Sequence, residues 1–208
     1  AMALLILYPF YNAVLISVVP MADYVRNPLA LVPKSVVWDA YRFVLGYQAM
    51  WSGFRVTLIL VLVGTLYNMV LTVMTAFALT KDWPGKRFVH TMIVITLYFS
   101  GGLVPYYLLI RDLGLMDRIL SMILPTGIEF TYMVVVMRHF ENIPKELEEA
   151  AEIDGASMVR TLFIVVLPLS LPILSTYALY YGVNRWNEWY NGMLFIRSTG
   201  RQPLQLVL

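Results

Sequence analysis

The chain has 208 residues, of which 60% are hydrophobic and 13% are charged, with a mean hydropathy of +0.71. This composition is more apolar than that of a soluble domain of the same length, and it predicts a protein that lies mostly in lipid. The net charge of +2 with scattered basic residues argues against nucleic-acid binding, and the absence of cysteine excludes disulfides, thiolate metal sites and cysteine nucleophiles.

Five hydrophobic spans follow one another along the chain, each near the ~20 residues that a helix needs to cross the hydrocarbon core. They cover residues 3–20, 54–80, 88–110, 119–140 and 166–184. Lipid offers no partner to a free backbone N–H or C=O, so apolar spans of this length must be helical. The sequence therefore predicts an all-α, multi-pass membrane protein.

The segment 21–52 is too polar to cross the bilayer and is expected on one surface, which we take to be the extracytoplasmic one. Aromatic and aliphatic side chains recur in it at helix-like intervals, which predicts a short amphipathic helix at the membrane interface. These residues are Trp38, Tyr41, Phe43, Val44 and Tyr47. Their aromatic rings fit the interfacial belt of a membrane protein.

A basic turn, Lys81-Asp82-Trp83-Pro84-Gly85-Lys86-Arg87, separates the second and third spans. Its Pro-Gly pair predicts a tight polar reversal, which we place in the cytoplasm. Several basic residues, Arg185 among them, then fall outside or near the outer boundary, so charge alone leaves the orientation undecided.

Residues 141–168 form a second polar connection, two spans later and therefore on the same side as the basic turn. Pro144 suits the first turn of a helix, Gly155 is a candidate left-handed stop, and Ser157 can cap the next helix. These signals predict a helix, a turn and a second helix that project from the membrane. The simpler alternative is a solvated polar loop.

The sequence of this connection is Glu149-Ala150-Ala151-Glu152-Ile153-Asp154-Gly155, followed later by Val165-Val166-Leu167-Pro168. Its spacing resembles the cytoplasmic coupling loop of bacterial ABC importer permeases, although Val165 stands where that family usually has Ile. The resemblance implies that residues 141–168 sit in a cleft of an ATPase subunit, and it also supplies the orientation. The coupling residues it implies are Glu149, Ala150, Ala151, Asp154, Gly155, Leu167 and Pro168.

Four further motifs look like those of one branch of this family, the permeases of binding-protein-dependent carbohydrate importers. Within that branch they are most similar to the second permease subunit of importers for oligosaccharides or polysaccharide-derived substrates. They are Phe99-Ser100-Gly101-Gly102-Leu103-Val104-Pro105, Leu113-Gly114-Leu115-Met116-Asp117, Ile143-Pro144-Lys145-Glu146-Leu147 and Trp186-Asn187-Glu188-Trp189. The resemblance implies one type I ABC importer transmembrane domain over residues 1–208. Relatives are longer, so we expect a clipped first helix and a missing sixth one.

The resemblance also implies that this chain lies in the bacterial cell (inner) membrane and that it works with several partners. These are a second homologous permease, two ATPase subunits that bind ATP and Mg, and an extracytoplasmic sugar-binding protein. The chain itself is expected to bind no cofactor or metal and to have no catalytic residues. It contains neither a glycine-rich phosphate loop nor a His-Glu-x-x-His helix.

Polar and aromatic residues within the spans are candidates for a sugar pathway, because polar groups in lipid tend to face a partner or a wet cavity. These are Asn68, Ser100, Tyr132, Ser175, Tyr177 and Tyr180. Helix packing is the alternative for each of them. Gly101-Gly102 with Pro105 either breaks or kinks the third span.

A secondary transporter or channel without an ATPase remains the alternative function. Such a protein should carry charged residues deep in its helix bundle or an inverted repeat, and the sequence shows neither clearly.

Overall fold

The computed structural model describes residues 2–26, 32, 35–99 and 101–208. Within these ranges every regular element is a helix, which confirms the predicted all-α class. The chain divides into two compact units, Ala1–Trp51 and Ser52–Leu208. Ser100 and parts of the predicted surface segment 21–52, namely 27–31 and 33–34, lie outside the described residues.

The first unit contains α1 (Met2–Val18), α2 (Met21–Arg26) and α3 (Asp39–Gly46). Helix α3 lies where the aromatic periodicity predicts a short amphipathic helix, and none of its residues is buried. The hydroxyl groups of Ser17 and Tyr41 form a 2.8 Å hydrogen bond between α1 and α3.

The long helix α4 spans Gln48–Thr80, with a π-helical turn at Leu60–Gly64. It is the one unbroken helix in the described residues that is long and apolar enough to cross a membrane by itself. Two bent helix pairs also qualify if each pair counts as a single span, which gives up to three.

These bent pairs correspond to the predicted fourth and fifth spans. Helices α7 (Leu120–Thr126) and α8 (Phe130–Glu141) meet at 50°, and α10 (Met158–Leu169) and α11 (Leu171–Trp186) meet at 86°. Pro168 and Pro172 flank the second bend, and proline removes a backbone donor and clashes with the preceding turn. Hydrophobic periodicity alone does not predict such breaks within a span.

The predicted third span consists of α5 (Lys86–Tyr98) and α6 (Leu103–Asp112). Gly102 between them has a φ of +83°, a left-handed conformation that glycine adopts without steric cost. The glycine pair therefore lies at a break in this span and not at a kink inside one helix.

The shorter helices of the second unit are α9 (Lys145–Ile153), α12 (Tyr190–Phe195) and α13 (Leu204–Val207), with a 3-10 turn at Thr199–Arg201. The largest apolar core joins α4, α8, α10 and α11. It is formed by Val73, Ala76, Phe77, Leu79, Met133, Val136, Met137, Phe140, Leu162, Val166 and Leu174.

Candidate coupling and translocation sites

The connection at residues 141–168 folds as a helix, a turn and a second helix. Pro144 precedes α9, which ends where Gly155 adopts a φ of +79°. The N–H of Gly155 donates to the carbonyl of Glu152, and the N–H of Ala156 donates to that of Ala151, both at 2.9 Å. These bonds satisfy carbonyls that the end of a helix leaves free. Ser157 then accepts a bond from the N–H of Arg160 at 3.4 Å and caps α10.

The residues that sequence reasoning assigned to coupling divide into two groups. Glu149, Ala150, Asp154 and Gly155 are exposed on α9 and its turn, whereas Ala151 is the buried residue of α9. Leu167 and Pro168 lie further along, in α10, where half-buried Leu167 packs against the large core. The structure therefore brings Glu149, Ala150, Asp154 and Gly155 together at the exposed end of α9 and gives Leu167 a packing contact.

The basic turn and α9 lie side by side. Lys81, the first residue after α4, forms an ion pair with Glu148 of α9. The Lys81 ammonium also lies 4.9 Å from the centre of the Phe77 ring. A cavity of about 560 Å³ opens between these elements, and Lys86, Glu149 and other charged residues line it.

A buried guanidinium lies at the bend between α7 and α8. Arg185 of α11 is 4% exposed. Its Nε and Nη2 atoms donate to the side-chain oxygen of Asn68 at 3.0 and 2.8 Å. The same guanidinium donates to the carbonyls of Met122, Ile123 and Thr126 at 2.6, 3.2 and 3.3 Å. We call this set of contacts the Arg185 network.

The amide nitrogen of Asn68 extends the Arg185 network by donating to the carbonyl of Gly127 at 2.7 Å. Both side chains thus bond to backbone carbonyls at the end of α7 and in the bend that follows it. Asn68, a predicted pathway residue, is fully buried in these contacts. Sequence reasoning placed Arg185 near the outer boundary but did not predict that it is buried among the helices. The buried residues Leu174, Tyr181 and Arg185 recur at helical spacing, a signal that could have identified its inward face.

Three predicted pathway residues form an aromatic cluster on α8 and α11. The ring centre of Tyr132 lies 5.0 Å from that of Tyr177 and 5.9 Å from that of Tyr180. It also lies 5.0 Å from the ring of Tyr181, and Asn184 donates to the Tyr132 hydroxyl at 3.3 Å. We call Tyr132, Tyr177 and Tyr180 the tyrosine cluster; its member Tyr180 is 48% exposed.

A polar cavity of about 380 Å³ adjoins this cluster through Tyr181 and Asn184. Its walls combine the Arg185 network with acidic and amide side chains. The lining residues are Asn68, Pro125, Thr126, Ile128, Glu129, Tyr181, Asn184, Arg185 and Glu188. Elsewhere on α11, the predicted pathway residue Ser175 is exposed, and its hydroxyl donates to the carbonyl of Leu171 at 2.7 Å.

Asp117, in the loop between α6 and α7, binds the segment that follows α12. Its carboxylate accepts bonds from the Ser198 hydroxyl at 2.5 Å and from the N–H groups of Ser198 and Arg197 at 2.9 and 3.1 Å. Arg201 adds an ion pair at 3.2 Å. These donors, the Ser198 hydroxyl first, lower the pKa of Asp117 from 3.8 to about 2.

The chain is similar to several named transport proteins. It is 32% identical over 207 residues to the polygalacturonan/rhamnogalacturonan transport system permease protein YtcP of Bacillus subtilis, covering 99% of this chain and 72% of the relative. Protein LplC of the same species is 32% identical over 201 residues, covering 96% and 68%. The arabinooligosaccharides transport system permease protein AraQ of Halalkalibacterium halodurans is 27% identical over 214 residues, covering 99% and 76%.

A solved structure shares the fold. It is a bacterial ABC transporter involved in the import of the acidic polysaccharide alginate, matched with a TM-score of 0.92 and 30% identity over 99% of this chain and 74% of that one. No protein-family model matches the chain.

Fold and helix arrangement define an ABC importer permease, an integral membrane protein. The chain belongs to the carbohydrate ABC transporter permeases, as the sequence motifs indicate.

Proposed function

We propose that this chain is a permease subunit of an ATP-driven carbohydrate importer, spans the bacterial cell membrane several times, and couples to a cytoplasmic ATPase through residues 141–168. The observation that carries this proposal is the exposed end of α9, where Glu149, Ala150, Asp154 and Gly155 face solvent while Ala151 is buried. An exposed acidic helix end on a membrane protein is suited to a soluble, polar partner.

The proposed assembly contains a second homologous permease, two ATPase subunits that bind ATP and Mg, and an extracytoplasmic sugar-binding protein. Such an arrangement fits a chain that belongs to the ABC permeases and resembles proteins named as transport-system components. ATP hydrolysis then takes place on the partner, and this permease supplies half of the translocation pathway.

The tyrosine cluster and the adjoining polar cavity are the proposed sugar path within this chain. Aromatic faces offer stacking surfaces for sugar rings, and Asn184 and Glu129 supply hydrogen-bonding groups beside them. Asn68 lines the cavity but directs its amide to the Arg185 network, so its expected contribution to the path is to hold the wall.

A secondary transporter remains the second candidate, because Arg185 is a charged residue deep among the helices. The chemistry of the site favours the ABC assignment. A guanidinium stays protonated in proteins and so cannot serve as a proton carrier. Its donors are also already bonded to Asn68 and to backbone carbonyls.

The decisive experiment replaces Glu149, on the exposed turn, in the complete transporter. We expect Glu149→Ala to lower co-purification of the ATPase subunits and ATP-dependent sugar uptake, both roughly tenfold, which corresponds to about 1.4 kcal/mol of lost interaction. Glu152→Ala is the matched control, because Glu152 is exposed on the same helix outside the predicted coupling set. Normal ATPase assembly and uptake in Glu149→Ala would refute the proposed coupling role.

A further inference from the structure

The ion pair between Lys81 and Glu148 differs from the other ion pairs of the described residues. Its side chains are only 22% and 17% exposed, and it joins α9 to the end of α4 across 67 positions of sequence. The pairs Lys86–Asp82 and Arg138–Glu141 each join near neighbours, with one partner 102% and 70% exposed respectively. The pair Arg201–Asp117 joins distant positions, but its arginine is 53% exposed. The Lys81–Glu148 pair is therefore a shielded connection between two separate elements.

Lys81 continues this connection into the apolar core. Its ammonium lies over the Phe77 ring at 4.9 Å, a distance at which cation and ring attract each other. Phe77 in turn packs edge to face against Phe140 of α8, with 6.4 Å between ring centres. Both phenylalanines are at most 5% exposed. A continuous chain of contacts thus runs from Glu148 through Lys81 and Phe77 to Phe140.

Helix α9 has little buried surface of its own. Ala151 is its buried residue, and Glu146 and Glu149 extend into solvent. The small methyl group of Ala151 permits close packing, but it opposes sliding or rotation of α9 only weakly. The shielded ion pair, which fixes a second point one turn away, restrains the direction in which α9 points.

We propose that Lys81 and Glu148 are positioning residues of the coupling mechanism: their ion pair keeps α9 fixed to α4, so that a displacement of α9 moves the membrane helices. This inference rests on the proposed function, because it presumes that a partner moves α9. Without the ion pair, α9 still folds and still presents Glu149, but it shifts without carrying α4 along.

The test is a double-mutant cycle in the complete transporter, with sugar taken up per ATP hydrolysed as the measurement. Lys81→Met keeps an apolar side chain over Phe77, and Glu148→Gln keeps the length of the glutamate. We expect each variant to lower the ratio several-fold while ATPase subunits still co-purify, and the double variant to lower it no further, because both changes remove the same contact. Lys86→Met, in the same turn, is the matched control and should leave the ratio unchanged.

A second measurement uses the absence of cysteine from the sequence. Lys81→Cys with Glu148→Cys should lower the ratio like the other variants, and a bifunctional thiol reagent that links the two positions should restore it. The proposal is overturned if the ratio is unchanged in Lys81→Met and Glu148→Gln, if their effects multiply as independent changes do, or if the cross-link restores nothing.

These outcomes are separable from failure of the proposed function. If Glu149→Ala leaves ATPase assembly and uptake intact, the coupling role of residues 141–168 fails. If Glu149→Ala abolishes assembly while the ion-pair variants behave as wild type, the loop couples but the Lys81–Glu148 pair does not transmit the movement.

Discussion

The Arg185 network and helix α9 place charge in opposite environments. Arg185 is 4% exposed and is bonded to Asn68 and to three backbone carbonyls. Helix α9 leaves Glu146 and Glu149 in solvent. A charge among membrane helices must find its partners inside the chain, whereas a charge on an exposed loop can be left to water or to another protein. We therefore expect substitutions in the Arg185 network to lower the stability of the fold, and substitutions in α9 to weaken assembly with the ATPase subunits.

The sharpest test of this contrast is Asn68→Leu. The change removes the side-chain acceptor of a buried guanidinium and leaves that charge partly unsatisfied, so we expect a loss of roughly 3 kcal/mol in the free energy of unfolding. Thermal unfolding in detergent, followed by the fraction of monodisperse protein, measures the effect. Asn184→Leu serves as the control, because Asn184 is exposed and its amide bonds to the Tyr132 hydroxyl. Equal losses of unfolding free energy in the two variants would show that the Arg185 network contributes no more to stability than the exposed Asn184 contact does.

An intermediate effect is expected from Gly155→Ala. At a φ of +79° an alanine costs about 1–2 kcal/mol, and no atom lies within 4 Å of the added carbon, so the cost is conformational. We expect a small change in the unfolding temperature of the permease and a clear fall in ATPase co-purification. Gly155→Asn should be milder, because asparagine tolerates the left-handed conformation.

The contrast between the two regions fails if Gly155→Ala destabilises the whole permease as much as Asn68→Leu does. It also fails if ATPase binding follows global stability across the four variants, because exposed loop geometry would then have no separate effect on assembly.

The sequence predicted the exposed parts of the molecule better than the buried ones. Pro144, Gly155 and Ser157 act locally, through a fixed backbone angle or a single capping bond, so residues 141–168 could be read as a helix, a turn and a helix. The all-α class likewise follows from the apolar spans, because lipid permits few other structures. Both predictions depend only on residues that follow one another along the chain.

The bends and the Arg185 network depend on residues far apart in sequence. Arg185 and Asn68 are 117 positions apart in sequence, so no local sequence pattern predicts their contact. The arginine lies one residue beyond the predicted end of the fifth span, so its charge indicated an outer boundary. The sequence identified Tyr132, Tyr177 and Tyr180 as candidates because they are aromatic residues within the spans. Only the folded structure shows that their rings contact one another.

The smallest expected effect concerns Asp117, a half-buried carboxylate that is bonded within the chain, as Arg185 is. Its pKa of about 2 in the folded state lies below the ordinary 3.8, so its stabilising contribution is complete above pH 3.8 and is lost as the pH falls towards 2. Asp117→Asn should lower the unfolding temperature slightly at neutral pH and flatten its decline between these pH values. Asp112→Asn is the control, since Asp112 is an exposed carboxylate that pairs with its neighbour Arg111. An unfolding temperature with the same acid dependence in Asp117→Asn as in the wild type would show that internal bonding of a half-buried carboxylate adds nothing. Full burial alone would then separate the Arg185 network from α9.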